Sequence, residues 1–377
     1  MIKLYGISWD DPRGYDSIVY ISERYSEKYK DIHIQWDKRS LYDFTVYPPD
    51  KLAKYYDLVV VDYPSVGDIA ESNNYIPIDE ILSKKDLEFI QRISVGKTYE
   101  SYLYNGHLWA LPIDAATQVS AYREDIFKEF NLKIPKTWKQ VIKLKCKVGM
   151  PLSPIHAHSS FITMCVNYFL DPFFIRLDQY NLKKIYTILD IMKNISDKCG
   201  DLCLKSDPIK LLDYMAEENE ICYIPLTYGY YNYSRDKYRK NVINYINIPS
   251  FTEIPYGSTL GGAGLAVSIK NKYIEETIEF IKWFYDFNTQ KMYWKHYGQP
   301  ADIRIWIDEE ANKITRNSYI NTIYTISLSY VRPNFPGFIK FHEESGKVLV
   351  NFLTGKISKD ETIKDLLNLN TSCCARK

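Results

Sequence analysis

The segment 104-YNGHLWALPIDAATQVSAYREDIFKEFNLKIPKTW-138 decides the fold of this chain. An aromatic turn with Gly106 leads into a short apolar strand, Leu108 to Leu111. Pro112 has no N–H for a ladder and is predicted to stop that strand. A second extended segment, Thr117 to Tyr122, follows. An amphipathic helix around Ile126 to Phe130 comes next, and Pro135-Lys136-Thr137-Trp138 opens another helix. Two short strands in succession suit a crossing between lobes, the natural place for a hinge.

Outward from this segment the chain alternates. Ile2 to Ser8 reads as a strand and Asp16 to Tyr29 as a helix, with Ile18, Ile21, Tyr25 and Tyr29 on one face. A strand over Ile32 to Trp36, a helix over Pro49 to Tyr55 and a buried strand over Asp57 to Asp62 follow. Alternation of this kind predicts an α/β fold with a mostly parallel sheet flanked by helices, and ligands then sit beyond the carboxyl ends of the strands. From about 123 to 250 the pattern is helical, with strands near Ile221 to Leu226 and Val242 to Ile248. Gly261-Gly262-Ala263-Gly264 opens a strand, and the helix Tyr273 to Phe287 carries Ile274, Ile278, Ile281 and Tyr285 as its core stripe. The Pro-punctuated link Arg332 to Phe338 precedes two final helices.

Composition narrows the function. The 377 residues allow two domains, and 46% hydrophobic with 25% charged content is that of a globular protein. A net charge of +1 with interspersed signs carries no footprint for nucleic acid. The apolar runs are of strand length. The sequence starts directly on a strand and shows neither the h-region nor the cleavage site of a secretory signal. Cysteines stand at 146, 165, 199, 203, 222, 373 and 374, an odd and scattered set that predicts no disulfide framework and leans to a reducing compartment. No zinc spacing, nucleophile elbow or dinucleotide fingerprint is present, so no cofactor, no metal and no enzymatic activity are expected.

The ordered motifs Gly106 to Pro112, Tyr122-Arg123-Glu124-Asp125-Ile126-Phe127 and Pro135 to Trp138 resemble those of the family 1 extracellular solute-binding proteins of ABC importers, the maltose-binding-protein group. Ile76 to Asp79, Gly261 to Ile269 and Glu276 to Gly298 extend the resemblance over nearly the whole chain. It implies a two-lobed periplasmic-binding-protein-like fold of type II with the ligand between lobes. The lobes would be 1–113 plus 256–304 and 114–255 plus 305–377, with crossings near 113, 255 and 305. It further implies a monomer outside the cytoplasm that hands its ligand to an ABC permease. Relatives carry an aromatic residue between the last two glycines of the glycine strand; here Ala263 removes that stacking platform.

Candidate ligand groups follow from strand ends. Trp9, Asp10, Arg13 and Tyr15 gather a stacking face, an acceptor, a forked donor and a phenol in the loop WDDPRGY, with helix capping by Asp16 as the alternative. Arg13 there suits a carboxylate or phosphate. Asp62 and Asp114 lie just past strands and either face the ligand or cap turns. Tyr228 and Asn232 follow a strand end, as ligand contacts or as packing. His156 and Ser159 are placed in a loop before a helix. Gly262 lets backbone approach the ligand, and Arg304, Trp306 and Arg332 stand near the last crossings. The favoured reading is capture of a small polar solute (a sugar, polyol or related acid) by hinge closure. An intracellular ligand sensor or a recruited enzyme on the same fold are the rivals.

Overall fold

The computed structural model describes residues 1–170 and 179–374. Its strands are β1 (Ile2–Trp9), β2 (Ile32–Arg39), β3 (Leu58–Asp62), β4 (Tyr75–Ile76), β5 (Leu103–Tyr104), β6 (His107–Leu108), β7 (Leu111–Tyr122), β8 (Lys147–Val148), β9 (Ile221–Tyr228), β10 (Asn244–Ile246) and β11 (Leu260–Ser268). The chain divides into two compact units, one of Met1–Ala115, Gly261–Ala311 and Arg332–Ile339, the other of Ala116–Leu260, Asn312–Val331 and Lys340–Lys377. Among the described residues no helix is long and apolar enough to cross a membrane.

In the first unit the strand order is β2-β1-β3-β11, with β4 also on β11. β1 runs parallel to β2, from Ile2 beside Ile32 to Trp9 beside Arg39, and parallel to β3. β11 is antiparallel to β3 and sets Ala263 beside Asp62. One edge of this sheet therefore carries Trp9, Arg39, Asp62 and the glycines of β11. Leu58, Val59 and Val60 are fully buried, so β3 reads as the continuous apolar run expected of a strand covered on both faces. The helix Ser17–Lys28 buries Ile18, Ile21 and Tyr25, whereas Tyr29 lies past its end and is half-exposed. The helix Ile274–Phe284 buries Thr277, Phe280, Ile281 and Phe284. Its inward face is thus rotated from the predicted stripe, and Ile274 and Ile278 sit at the margin.

In the second unit the order is β10-β7-β9-β8. β7 and β9 are antiparallel, with Gln118 beside Tyr228 and Tyr122 beside Tyr223. β8 joins β9 in parallel. The Tyr-Arg-x-Asp motif has a structural purpose here. Arg123 is 2% exposed; it donates to the carbonyls of Met215 and Glu218, to Asn219 and to Asp125. It thereby staples the end of β7 to the last turn of the helix Pro208–Glu217. Thr137 and Gln140 form a reciprocal capping box that starts the helix Trp138–Ile142, the origin of the Pro-Lys-Thr-Trp signal.

Three local expectations are corrected. Pro112 does not stop a strand: it is the second residue of the 12-residue β7. Proline is tolerated at a strand's beginning, and its carbonyl still accepts from the Tyr285 hydroxyl at 3.1 Å. His156 and Ser159 lie inside the helix Pro154–Phe169, because Pro154 occupies its first turn, where a missing N–H costs nothing. Four cysteines do pair, Cys146 with Cys222 and Cys199 with Cys203, with Cα separations of 6.2 and 5.7 Å. A pairing across 76 residues depends on β8 lying beside β9, which spacing alone does not reveal. The side chains of Cys373 and Cys374 lie outside the described residues.

Candidate functional site

The loop after β1 is shaped by Asp11, not Asp16. The Asp11 carboxylate accepts from the Arg13 N–H at 2.8 Å and caps the short helical turn Pro12–Asp16. That turn directs Arg13 inward, where it is 3% exposed. Its Nε and Nη2 donate to the two carboxylate oxygens of Asp114 at 2.7 and 2.5 Å, a forked, buried pair. Gly262 holds φ at +117° against this pair, and a Cβ there would overlap the Asp114 carbonyl. Burial pushes the Asp114 carboxyl above the ordinary carboxylate range, against the opposing pull of the Arg13 guanidinium.

A second pair stands at the end of β3. Arg332 is 3% exposed and lies 3.6 Å from Asp62. Its backbone N–H and its Nε both donate to the Tyr63 hydroxyl, at 2.6 and 3.0 Å. Burial raises the Asp62 carboxyl, with Arg332 and the Tyr63 N–H pulling it down. Tyr102 lies between the pairs electrostatically, its phenol pushed far up by burial and by the charges of Asp62 and Asp114. Arg39, at the end of β2, donates to the Val60 carbonyl at 2.8 Å, and burial lowers it to about 10.

The remaining groups of the loop are distributed by depth. Trp9 is 3% exposed, lies against Gly14 and sits 4.9 Å from the Phe44 ring, so it is a core side chain of the unit. Asp10 is outside, paired with Lys38 at 2.9 Å. Tyr15 is half-buried; its hydroxyl donates to the Trp36 carbonyl at 3.3 Å. Arg304 and Trp306 belong to a separate cluster. Arg304 is clamped by Asp302 and donates to the Tyr285 carbonyl, while the Trp306 indole N–H donates to the Pro300 carbonyl from a fully buried position.

The strand ends of the second unit are built from neutral groups. Gln118 on β7 accepts from Thr163 at 2.6 Å and Thr259 at 3.2 Å, and donates to Ser160 at 3.0 Å. Tyr228, half-buried at the end of β9, donates to Thr259 at 3.3 Å and approaches Ser159 at 3.5 Å. The His156 and Tyr228 rings meet in a T-shaped arrangement, their centroids 6.2 Å apart. Ser159 is fully buried and touches His342. Asn232 is 5% exposed on the turn Tyr231–Ser234. Tyr63, Gln118, Thr163, Thr259 and His342 were not singled out by sequence. Polar Thr117-Gln118 inside an apolar strand was a usable signal for Gln118; His342 carried none. Among the described residues no trio of metal-ligating side chains gathers.

Comparisons with known proteins support the fold. Residues 12–150 match the family of bacterial extracellular solute-binding proteins. No curated protein matches the chain by sequence. Maltose-bound MalE3 of T. maritima superposes with a TM-score of 0.81 at 14% identity, covering 99% of this chain and 100% of that one. A solute-binding protein of Agrobacterium vitis S4 with bound D-mannitol gives 0.80 at 14% identity, covering 100% and 99%. One of Thermotoga lettingae TMO bound with α-D-tagatose gives 0.78 at 16% identity, covering 98% and 99%. The fold is therefore that of the ABC-importer solute-binding proteins along the whole chain.

Proposed function

We propose that the protein captures a small, neutral, polyhydroxylated solute by hinge bending where the chain passes between its two units, and delivers it to an ABC importer. The observation that carries the ligand class is the state of two buried guanidinium groups, Arg13 and Arg332, while Arg39 is held by the backbone carbonyls of Asp43 and Val60. Arg13 is chelated by Asp114, and Arg332 is held by Asp62 and Tyr63. An acidic ligand would have to compete with these carboxylates, whereas hydroxyls can join the networks as both donor and acceptor. The ligands named for the similar structures, maltose, D-mannitol and tagatose, are of the same neutral class.

In this reading the second unit offers Tyr228 and His156 to the solute, and the first unit offers Tyr15, Asp10 and Asp62. Arg13, Asp114, Arg332, Gly262, Ser159 and Asn232 stand behind them. No chemistry is done on the solute; the protein is a binder, not an enzyme, and acts as a monomer without cofactor. The two cysteine pairs favour work outside the cytoplasm, where disulfides persist. A thermal-shift panel of maltose, ribitol, D-mannitol, tagatose and gluconate tests this reading. A neutral ligand at a hundredfold over Kd adds about 2.7 kcal/mol of stability. A response to gluconate alone overturns the neutral class, and consumption of a bound solute overturns the binder.

A further inference from the structure

We propose that residues 130–145 form a basic edge of the second unit that docks on an anionic lipid bilayer. The whole chain carries only +1, yet seven of its 48 basic residues stand within 128–147, against one of its 47 acidic residues, Glu129. The fold turns this excess outward. Between Leu132 and Leu144 every third residue faces inward: Pro135, Trp138 and Val141 are buried, and Leu132 and Leu144 half-buried. The residues one place on, Lys133, Lys136, Lys139, Ile142 and Lys145, are all exposed, and Phe130 continues their row at 63% exposure. A spacing of three keeps side chains on one side of an extended chain of polyproline type, and nearly so on a helix. Lys143 is exposed beside them.

The row is held on a fixed support. The Lys136 carbonyl accepts from the Ser250 N–H at 3.0 Å, and the Lys136 N–H donates to Gln140 Oε1 at 2.7 Å. The charges are also left over from the fold. Among the described residues Lys128 pairs with Glu124 and Lys147 with Glu220, whereas Lys133, Lys136, Lys139, Lys143 and Lys145 have no carboxylate partner. Lys139 and Ile142 further line a cleft of about 490 Å³ with Trp138, Ile191 and Phe251. Asp190, the one carboxylate among the described residues lining it, is engaged by Lys359 at 2.5 Å.

Charge alone would suit any polyanion. Duplex nucleic acid would answer the lysines and leave Phe130, Ile142 and the cleft without a counterpart. A bilayer answers both: headgroup phosphates meet the ammonium groups, and the two apolar side chains enter the boundary between headgroups and acyl chains. The cleft beside them is apolar enough to receive part of a lipid's glycerol ester or acyl chain. Each lysine near such a surface raises partitioning roughly fivefold, so attachment is electrostatic and reversible. For a protein that hands solute to an importer, it turns the search for the permease into a search along the membrane. That consequence rests on the function proposed above; the attachment itself does not.

The test is sedimentation of the full chain, without solute, with vesicles of phosphatidylcholine and with vesicles in which a third of the lipid is phosphatidylglycerol. Binding to the second and not the first is expected. Lys133→Gln, Lys136→Gln and Lys139→Gln together should cut that partitioning about a hundredfold. Phe130→Ala with Ile142→Ala should cut it about tenfold. All five positions are exposed, so both variants should melt with the wild type. Lys84→Gln, Lys85→Gln and Lys97→Gln, which remove the same charge from the first unit, should cost less than about threefold. An equal loss in this control overturns the assigned edge, and an unchanged Phe130/Ile142 variant overturns the apolar contact. No binding to either vesicle overturns the bilayer as occupant and leaves the row to an acidic protein. None of these readouts uses a solute, so failure of the solute-binding reading leaves them standing, and the reverse.

Discussion

The strand ends of the two units solve one problem in opposite ways. Both bury polar groups at the edge of an apolar sheet. The first unit does so with full charges, Arg13 forked on Asp114 and Arg332 3.6 Å from Asp62. The second uses an amide, hydroxyls and imidazoles around Gln118, Thr163, Thr259 and Tyr228. A buried charge without its partner is far costlier than an unsatisfied hydroxyl, so the first edge is rigid by necessity. Hydroxyls rotate and exchange donor for acceptor at little cost, so the second edge can adapt. The difference teaches that one unit supplies a frame and the other the adjustable contacts.

The sharpest way to break this contrast is in the first unit. Asp114→Asn leaves the Arg13 charge buried and uncompensated, and urea unfolding should show a loss of about 3–5 kcal/mol. The double variant Arg13→Met with Asp114→Leu should recover most of it. If the single change costs no more than a surface substitution, the frame is not held by charge. Gln118→Ala in the second unit orphans Thr163, Thr259 and Ser160, yet their hydroxyls can turn to one another. A loss of about 1–3 kcal/mol in the same assay is expected; a loss as large as that of Asp114→Asn would erase the contrast. Arg304→Ala is the mildest test. Its side chain is 30% exposed while Asp302 is buried, but the Arg304 N–H still donates to that carboxylate, so a loss of about 1–2 kcal/mol is expected. Solute affinity should be unchanged, because the residue stands apart from both edges.

Trp9 shows why depth was hard to read. A tryptophan in a polar loop, followed by Asp10 and Asp11, has the composition of an exposed stacking face. In the fold it is a core residue, and Trp9→Ala would leave a cavity rather than a bare site. Trp306 and Arg304 share that history: the residue types fit a ligand, yet their partners Pro300 and Asp302 are only a few positions away. Arg13 is the converse. Its forked donor was legible and its carboxylate was real, but the carboxylate belongs to Asp114, 101 residues further along the same chain.

Local order was written plainly in the sequence. Apolar runs such as Leu58 to Val61 mark buried strands, and Thr137 with Gln140 marks a helix start. The Tyr-Arg-x-Asp and Pro-x-Thr-Trp motifs mark a strand end and a helix start. These signals are legible because caps, turns and periodicity act within a few residues. What the tertiary structure alone decided are the long-range pairings: Arg13 with Asp114, Arg332 with Asp62, Cys146 with Cys222, and His158 with His342. Each depends on which elements pack together, and no side chain carries in its own neighbourhood the identity of a partner a hundred residues away. The sequence by itself settled the kind of elements and their order; packing settled which polar groups are consumed by the fold.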